Sequence, residues 1–110
     1  MYTVTKTLEI SAAHKLSLNY KSQCTELHGH NWKIQVTCQA EELDANGMVI
    51  DFAKISKFVK EKFDHRYLNN VMTTKNPTAE NIAKFICDNI PNCVKVTVQE
   101  SEGNVATYER

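Results

Sequence analysis

From Trp32 to Ala40 every second residue is apolar (Trp32, Ile34, Val36, Cys38, Ala40), and the residues between them, Lys33, Gln35, Thr37 and Gln39, are polar. A period of two sustained over nine residues suits a strand with one buried and one wet face, and a helix cannot satisfy it. Leu8, Ile10 and Ala12 repeat the pattern near the N-terminus. The alternation predicts strands over about residues 2–13 and 28–41, separated by a polar loop from roughly Leu16 to Leu27. Two half-buried strands of this length need a second layer to cover the apolar face.

That layer comes from the middle of the chain, where the period lengthens. Asp44-Ala45-Asn46-Gly47 reads as a turn and Met48-Val49-Ile50 as a short extended entry. Asp51 then stands as a cap before a helix over about 52–63, with Phe52, Ile55, Val59 and Phe63 as its apolar stripe and Lys54, Lys57 and Lys60 toward water. A second helix is expected from Pro77, with Asn76 as its cap, and Pro91 ends it after Ile90. Val94, Val96 and Val98 mark a third strand, and Ser101-Glu102-Gly103-Asn104 turns into a fourth over Val105 to Glu109. The order ββααββ predicts an α+β fold, a four-stranded antiparallel sheet with two helices on one face. A chain of 110 residues suffices for one domain, 1–110, and not for two. So short a sheet has edges to cover, which self-association would do.

Charge excludes several classes of partner. Thirteen basic residues balance thirteen acidic ones, so no global field draws the chain to nucleic acid or to an anionic membrane. No apolar run reaches the roughly 18–20 residues of a membrane span, and the N-terminal segment lacks the apolar stretch of a signal peptide. The four cysteines, Cys24, Cys38, Cys87 and Cys93, show no Cys-x-x-Cys spacing. Free thiols in a reducing, cytoplasmic setting are the expectation. Three of them fall on apolar positions, and Cys24 stands apart in a polar loop.

The four histidines carry the chemistry. His28 and His30 flank Gly29, so in an extended segment both side chains point to one side, that of Trp32 and Ile34. Glycine between them removes a side chain that could crowd the entry to the strand. His14 ends the first strand with the parity of Leu8, Ile10 and Ala12. Pairing of the two strands brings all three imidazoles to one end of one sheet face. Three neutral imidazoles with an open position describe a catalytic rather than a structural zinc site. Each taken singly is also accounted for as an ordinary hydrogen-bonded histidine; the shared parity favours the metal. His65 follows Asp64 at the end of the first helix, where such a pair is commonly a helix-end contact. Glu100 shares the parity of Val94, Val96 and Val98, so its carboxylate turns inward and needs a partner, unless the strand stops by Gln99.

These residues resemble a known family. Cys24-Thr25-Glu26-Leu27-His28-Gly29-His30 matches the Cys-x-x-x-His-Gly-His motif of the 6-pyruvoyltetrahydropterin and 6-carboxytetrahydropterin synthases, and Ala12-Ala13-His14 looks like the family's first zinc ligand. Gly47 to Phe52, Asp64-His65-x-x-Leu68-Asn69, Pro77 to Ala83 and Val98 to Ser101 follow in the family's order. The resemblance implies the tunnelling fold, with trimers paired into homohexamers and active sites at subunit interfaces. It implies zinc on His14, His28 and His30, Cys24 as the base, Asp64 and His65 as its proton relay, and Glu100 as the anchor of a pterin ring. The implied substrate is 7,8-dihydroneopterin triphosphate, with no nucleic acid or membrane partner.

Three reactions are open to such a site. One cleaves the side chain to give 6-carboxytetrahydropterin, for queuosine and other deazapurines; one gives the 6-pyruvoyl product; a third uses an acid in the cysteine loop to release a hydroxymethylpterin toward folate. The short chain and the three residues between Cys24 and His28 look most like the first. Glu26 keeps the third in view, as a loop acid that is either solvent-facing or a second base. Thr78, Glu80 and Asp51 are sufficiently explained as helix-start residues. A zinc-stabilised binding domain without turnover accounts for the histidines but leaves Cys24, Asp64, His65 and Glu100 unexplained.

Overall fold

A computed structural model describes residues 1–110. Strands β1 (Tyr2–His14) and β2 (His28–Ala40) form a long antiparallel hairpin. They are followed by helix α1 (Phe52–Phe63), a two-residue strand β3 (Arg66–Tyr67) and helix α2 (Ala79–Asn89). Strands β4 (Cys93–Ser101) and β5 (Asn104–Glu109) complete a sheet of order β3-β1-β2-β4-β5. The sheet therefore has five strands and is mixed, where four antiparallel strands were expected. The extra strand is β3, which runs parallel to β1 through Ala12–Arg66 and Ala13–Tyr67. Two residues leave no alternation to read, so no sequence period announces it.

Both helices cover one face, and the core lies between the layers. Leu8, Ile10, Ala12, Trp32, Ile34, Val36, Val96 and Val98 meet Ile55, Val59, Phe63, Ile82 and Ile86 there. Asp51 caps α1 by accepting from the Ala53 N–H at 2.8 Å, as expected. Phe52, assigned to the buried stripe, is exposed instead, and Phe58 packs against the core in its place. Helix α2 starts later than expected. Thr78 is its cap, accepting from the Asn81 N–H at 3.1 Å, while Asn76 and Pro77 lie ahead of the helix. The β2–β4 register shifts between Thr37 and Cys38, which places Cys93 opposite Cys38 in the core and moves Val94 out of step with Val96.

All four thiols are free, and Cys38, Cys87 and Cys93 are buried. Burial and a neighbouring Cys93 thiol push Cys87 up to about 11, and bonding to Cys38 together with burial pushes Cys93 up as well. Thiolates are what alkylating agents attack, and although bonding to Cys93 lowers the Cys38 thiol, its complete burial shields it. Native protein treated with iodoacetamide at neutral pH is therefore expected to take one label, on Cys24, and three more only once unfolded. Peptide mass mapping checks this, and a label on Cys87 or Cys93 in folded protein contradicts it.

Candidate metal centre

The hairpin register does the first part of the assembly. His14 pairs directly with His28, and His30 faces Ala12 one step along, so the three imidazoles share the core face at one end of the sheet. Their ring centroids lie 4.5 Å (His14–His28), 4.9 Å (His28–His30) and 5.5 Å (His14–His30) apart. Trp32 forms the floor, edge-on to His14 at 4.9 Å and to His30 at 5.4 Å. Its indole N–H donates to the Ala12 carbonyl at 3.1 Å, fixing the platform under the rings. A Cβ at residue 29 would lie 3.7 Å from the Ala12 oxygen, an ordinary contact, so crowding does not demand the glycine.

Two of the rings have their tautomer set by the backbone. His14 Nδ1 is 2.7 Å from the Pro77 oxygen, and His28 Nδ1 is 2.7 Å from the Glu26 oxygen. A carbonyl only accepts, so each Nδ1 carries the proton and each Nε2 keeps a lone pair. His14 is fully buried, and burial lowers its pKa against the opposing bond to Pro77, which keeps the ring neutral at pH 7.

Glu100 joins the same point. Strand β4 runs on to Ser101, so the carboxylate does not end in solvent. Its oxygens lie 3.2 Å from His30 Nε2 and 4.0 Å from His14 Nε2. With His14 neutral the longer contact is not an ion pair. The shorter one is close but not aligned as a hydrogen bond, and both Nε2 atoms are buried without a hydrogen-bond partner. Buried nitrogens left so are uncommon, and two aimed at one point are explained by lone pairs directed at a cation. One ligand atom from each of His14, His28, His30 and Glu100 falls within 4.8 Å of the others. Tetrahedral zinc with bonds of about 2.0–2.1 Å needs its ligand atoms roughly 3.3 Å apart, a contraction that side-chain rotation supplies. The residues fit such an ion.

A cleft of about 490 Å³ opens over the imidazoles, lined by Gln23, Cys24, Glu26, His28, His30 and Glu100. Cys24 reaches it from a short 3₁₀ turn (Gln23–Thr25) capped by Ser22, whose hydroxyl accepts from the Cys24 N–H at 3.1 Å. The Cys24 carbonyl accepts from the Leu16 N–H at 2.8 Å. Gln23 was not foreseen, since a loop glutamine carries no periodic signal.

Asp64 and His65 lie elsewhere in the chain and do not line this cleft. Asp64 ends α1 and accepts from the Ser11 N–H at 2.9 Å. His65 has φ 56°, an uncommon left-handed conformation for a non-glycine residue. Its N–H donates to the Ser11 carbonyl at 2.7 Å, which binds this turn to the β1 edge. The imidazole is 82% exposed, with Nε2 3.8 Å from Asp64 Oδ1. The two side chains stand near each other without a hydrogen bond, on the outer side of β1.

An α+β sheet-and-helix fold thus holds three inward imidazoles and a carboxylate that could bind a metal ion, under a cleft that a cysteine also lines. The chain belongs to the 6-pyruvoyl tetrahydropterin synthase family, whose model matches residues 3–110. It is similar to the 6-carboxy-5,6,7,8-tetrahydropterin synthase of Bacillus subtilis, at 30% identity over 97% of this chain and 84% of that protein. The human 6-pyruvoyl tetrahydrobiopterin synthase is 29% identical over 96% of this chain and 90% of its own. The fold matches the 6-pyruvoyl tetrahydropterin synthase structure of Caenorhabditis elegans with a TM-score of 0.79 at 29% identity, over 99% of this chain and 95% of that one. It is the α+β tunnelling-type fold, and family members are tetrahydropterin synthases. No helix is long and apolar enough to cross a membrane.

Proposed function

We propose that the chain converts 7,8-dihydroneopterin triphosphate to 6-carboxy-5,6,7,8-tetrahydropterin, releasing acetaldehyde and triphosphate, with zinc held by His14, His28 and His30. The observation that carries the reading is the convergence of His14, His28, His30 and Glu100 at one point, with Cys24 lining the cleft above it, in a family whose curated relatives include several named for this product. Zinc bound there supplies Lewis-acid polarisation of substrate side-chain oxygens, which acidifies the neighbouring C–H.

The side chains divide the remaining work. Glu100 accepts paired hydrogen bonds from the amino group and N3–H of the pterin ring, which fixes the side chain over the imidazoles. Cys24 takes the proton from carbon. A free thiol with pKa about 8.5 is mostly protonated at neutral pH and cannot accept a proton; a neighbouring cation raises the thiolate fraction that can. In this reading His65, beside Asp64, first takes the thiol's own proton, leaving a thiolate next to an imidazolium, and relays a further proton only after handing that one on. Because His65 is exposed on the outer edge of β1, the reading requires a second copy of the chain to bring its pair to the cleft. A homohexamer of two trimers meets that need. The β1 edge, paired only at Ala12 and Ala13, and the β5 edge are both open to join a neighbouring sheet.

A second reading rests on Glu26, which lines the cleft beside Cys24. Structures of the Plasmodium vivax 6-pyruvoyltetrahydropterin synthase, 17% identical, include replacements of a glutamate described as a catalytic residue. Glu26 as a second base would add hydroxymethylpterin to the products. Mass spectrometry after incubation with 7,8-dihydroneopterin triphosphate and zinc decides among the three. Carboxytetrahydropterin with acetaldehyde is the expected result, and a pyruvoyl product alone overturns the assignment. Glu26→Ala is expected to remove any hydroxymethylpterin and spare the carboxy product; equal loss of both rejects the second base.

A further inference from the structure

We infer that Asn76 is a positioning residue of the metal centre, its side-chain amide locking the Pro77 carbonyl against His14. The inference rests on the reading of His14 as a metal ligand. Asn76 Nδ2 donates to the Ser17 carbonyl at 2.8 Å, and the Ser17 N–H donates to Asn76 Oδ1 at 2.8 Å. One carboxamide thus serves both backbone groups of one residue, as a neighbouring strand would. Ser17 lies three residues after His14, and Asn76 immediately precedes Pro77, whose carbonyl accepts from His14 Nδ1 at 2.7 Å. The contacts close a ring: His14 to Ser17 along the backbone, across the amide to Asn76, on to Pro77, and back to the imidazole.

The rest of the ring is held as firmly. Proline fixes its own φ, and the Asn76 carbonyl accepts from the Thr78 N–H and from Asn81 Nδ2, each at 2.9 Å. The Pro77 carbonyl therefore has one direction left to it, toward His14. Between the clamped residues, the Leu16 N–H donates to the Cys24 carbonyl at 2.8 Å, so the segment that Asn76 steadies also supports the cysteine turn. Asn69 grips Lys15 in the same two-point manner, at 3.0 and 2.8 Å. All three residues after the ligand are fixed by partners from other parts of the chain.

A ligand histidine is oriented by what its second nitrogen bonds, and loss of such a partner typically lowers metal affinity by about 10–100-fold. Only an amide of this length completes both bonds. Aspartate lacks the donor and turns a charge on the Ser17 carbonyl; alanine makes neither contact. Asn76→Ala and Asn76→Asp are both expected to bind zinc about tenfold or more weakly, measured by competition with a chromophoric chelator. The His14 Nδ1 proton is expected to exchange faster with solvent in metal-free protein, as read by imidazole ¹⁵N–¹H NMR.

Ile55→Val, a core truncation away from the site, is the control for lost stability alone, compared at a temperature where every variant is folded. Asn76→Ser, which keeps one polar contact, carries the same two readouts if the larger changes prevent folding. Zinc affinity and proton exchange that match the Ile55→Val control overturn the inference and leave the metal site standing. A parent chain that binds no zinc overturns both.

Discussion

His28→Ala is expected to weaken zinc binding by roughly 30- to 1000-fold while the protein remains folded. A structural zinc site with four protein ligands yields about 10–16 kcal/mol; at a quarter per ligand, His28, one of the three histidines here, is assigned about 2.5–4 kcal/mol, which falls inside the stated range. His28 is the ligand to change because it lines the cleft and stands outside the hydrophobic core. His14, fully buried against Trp32, would add a cavity to the lost ligand. The same titration separates the enzyme from a zinc-stabilised binding domain. None of the 22 residues of the core cluster is a candidate ligand, so chelated protein is expected to keep its circular dichroism and a cooperative melt, at a lower midpoint because bound ion stabilises by mass action. Collapse of the fold on chelation would return the structural-ion reading. Unchanged affinity in His28→Ala would remove His28 from the ligand set.

The sheet and much of the centre are legible because side-chain parity survives from sequence to structure wherever ladders are regular. His14, His28 and His30 keep the parity of Leu8, Ile10 and Trp32, and the antiparallel register converts that into convergence. Glu100 follows Val96 and Val98 to the same face, as its strand position indicates, while its nearness to His30 emerges only from the fold. Parity failed at Val94 because the register shift at Cys38 inserts an irregularity no alternation records. Asn76 was read as a helix cap from local preference, but its side chain is engaged with Ser17, 59 positions away, leaving Thr78 to cap α2. Phe52 stands at a helical spacing that suits burial yet lies outside the contact between α1 and the sheet. In both cases tertiary contacts decide between local options of similar cost. Asp64 and His65 show the other boundary: a family motif singles them out, yet the structure sets them away from the cleft, on a short turn whose place no periodic spacing records.

The second large effect concerns the thiol. Cys24→Ala is expected to slow formation of the carboxy product by about 10²–10⁴-fold, the range that a positioned general base contributes, with zinc content unchanged. The turn does not need the sulfur. The Cys24 N–H is held by Ser22 Oγ and its carbonyl by the Leu16 N–H, so alanine takes away the proton acceptor and keeps the backbone in place. Pterin affinity, assigned to Glu100, is expected to hold, so the loss falls on kcat rather than KM. Glu100→Gln should reverse that split, because a carboxamide keeps one acceptor but loses the charge that pairs with the ring's N–H groups. Solvent deuterium entering the side-chain carbon reports the deprotonation itself, and Cys24→Ala should stop that exchange before it stops binding. If Glu26 is a second base, Cys24→Ala retains hydroxymethylpterin formation while losing the carboxy product, and the double replacement loses both. Full carboxytetrahydropterin synthesis by Cys24→Ala would reassign the base, and Glu26, the other ionisable side chain of the cleft outside the metal ligands and Glu100, would be the next candidate.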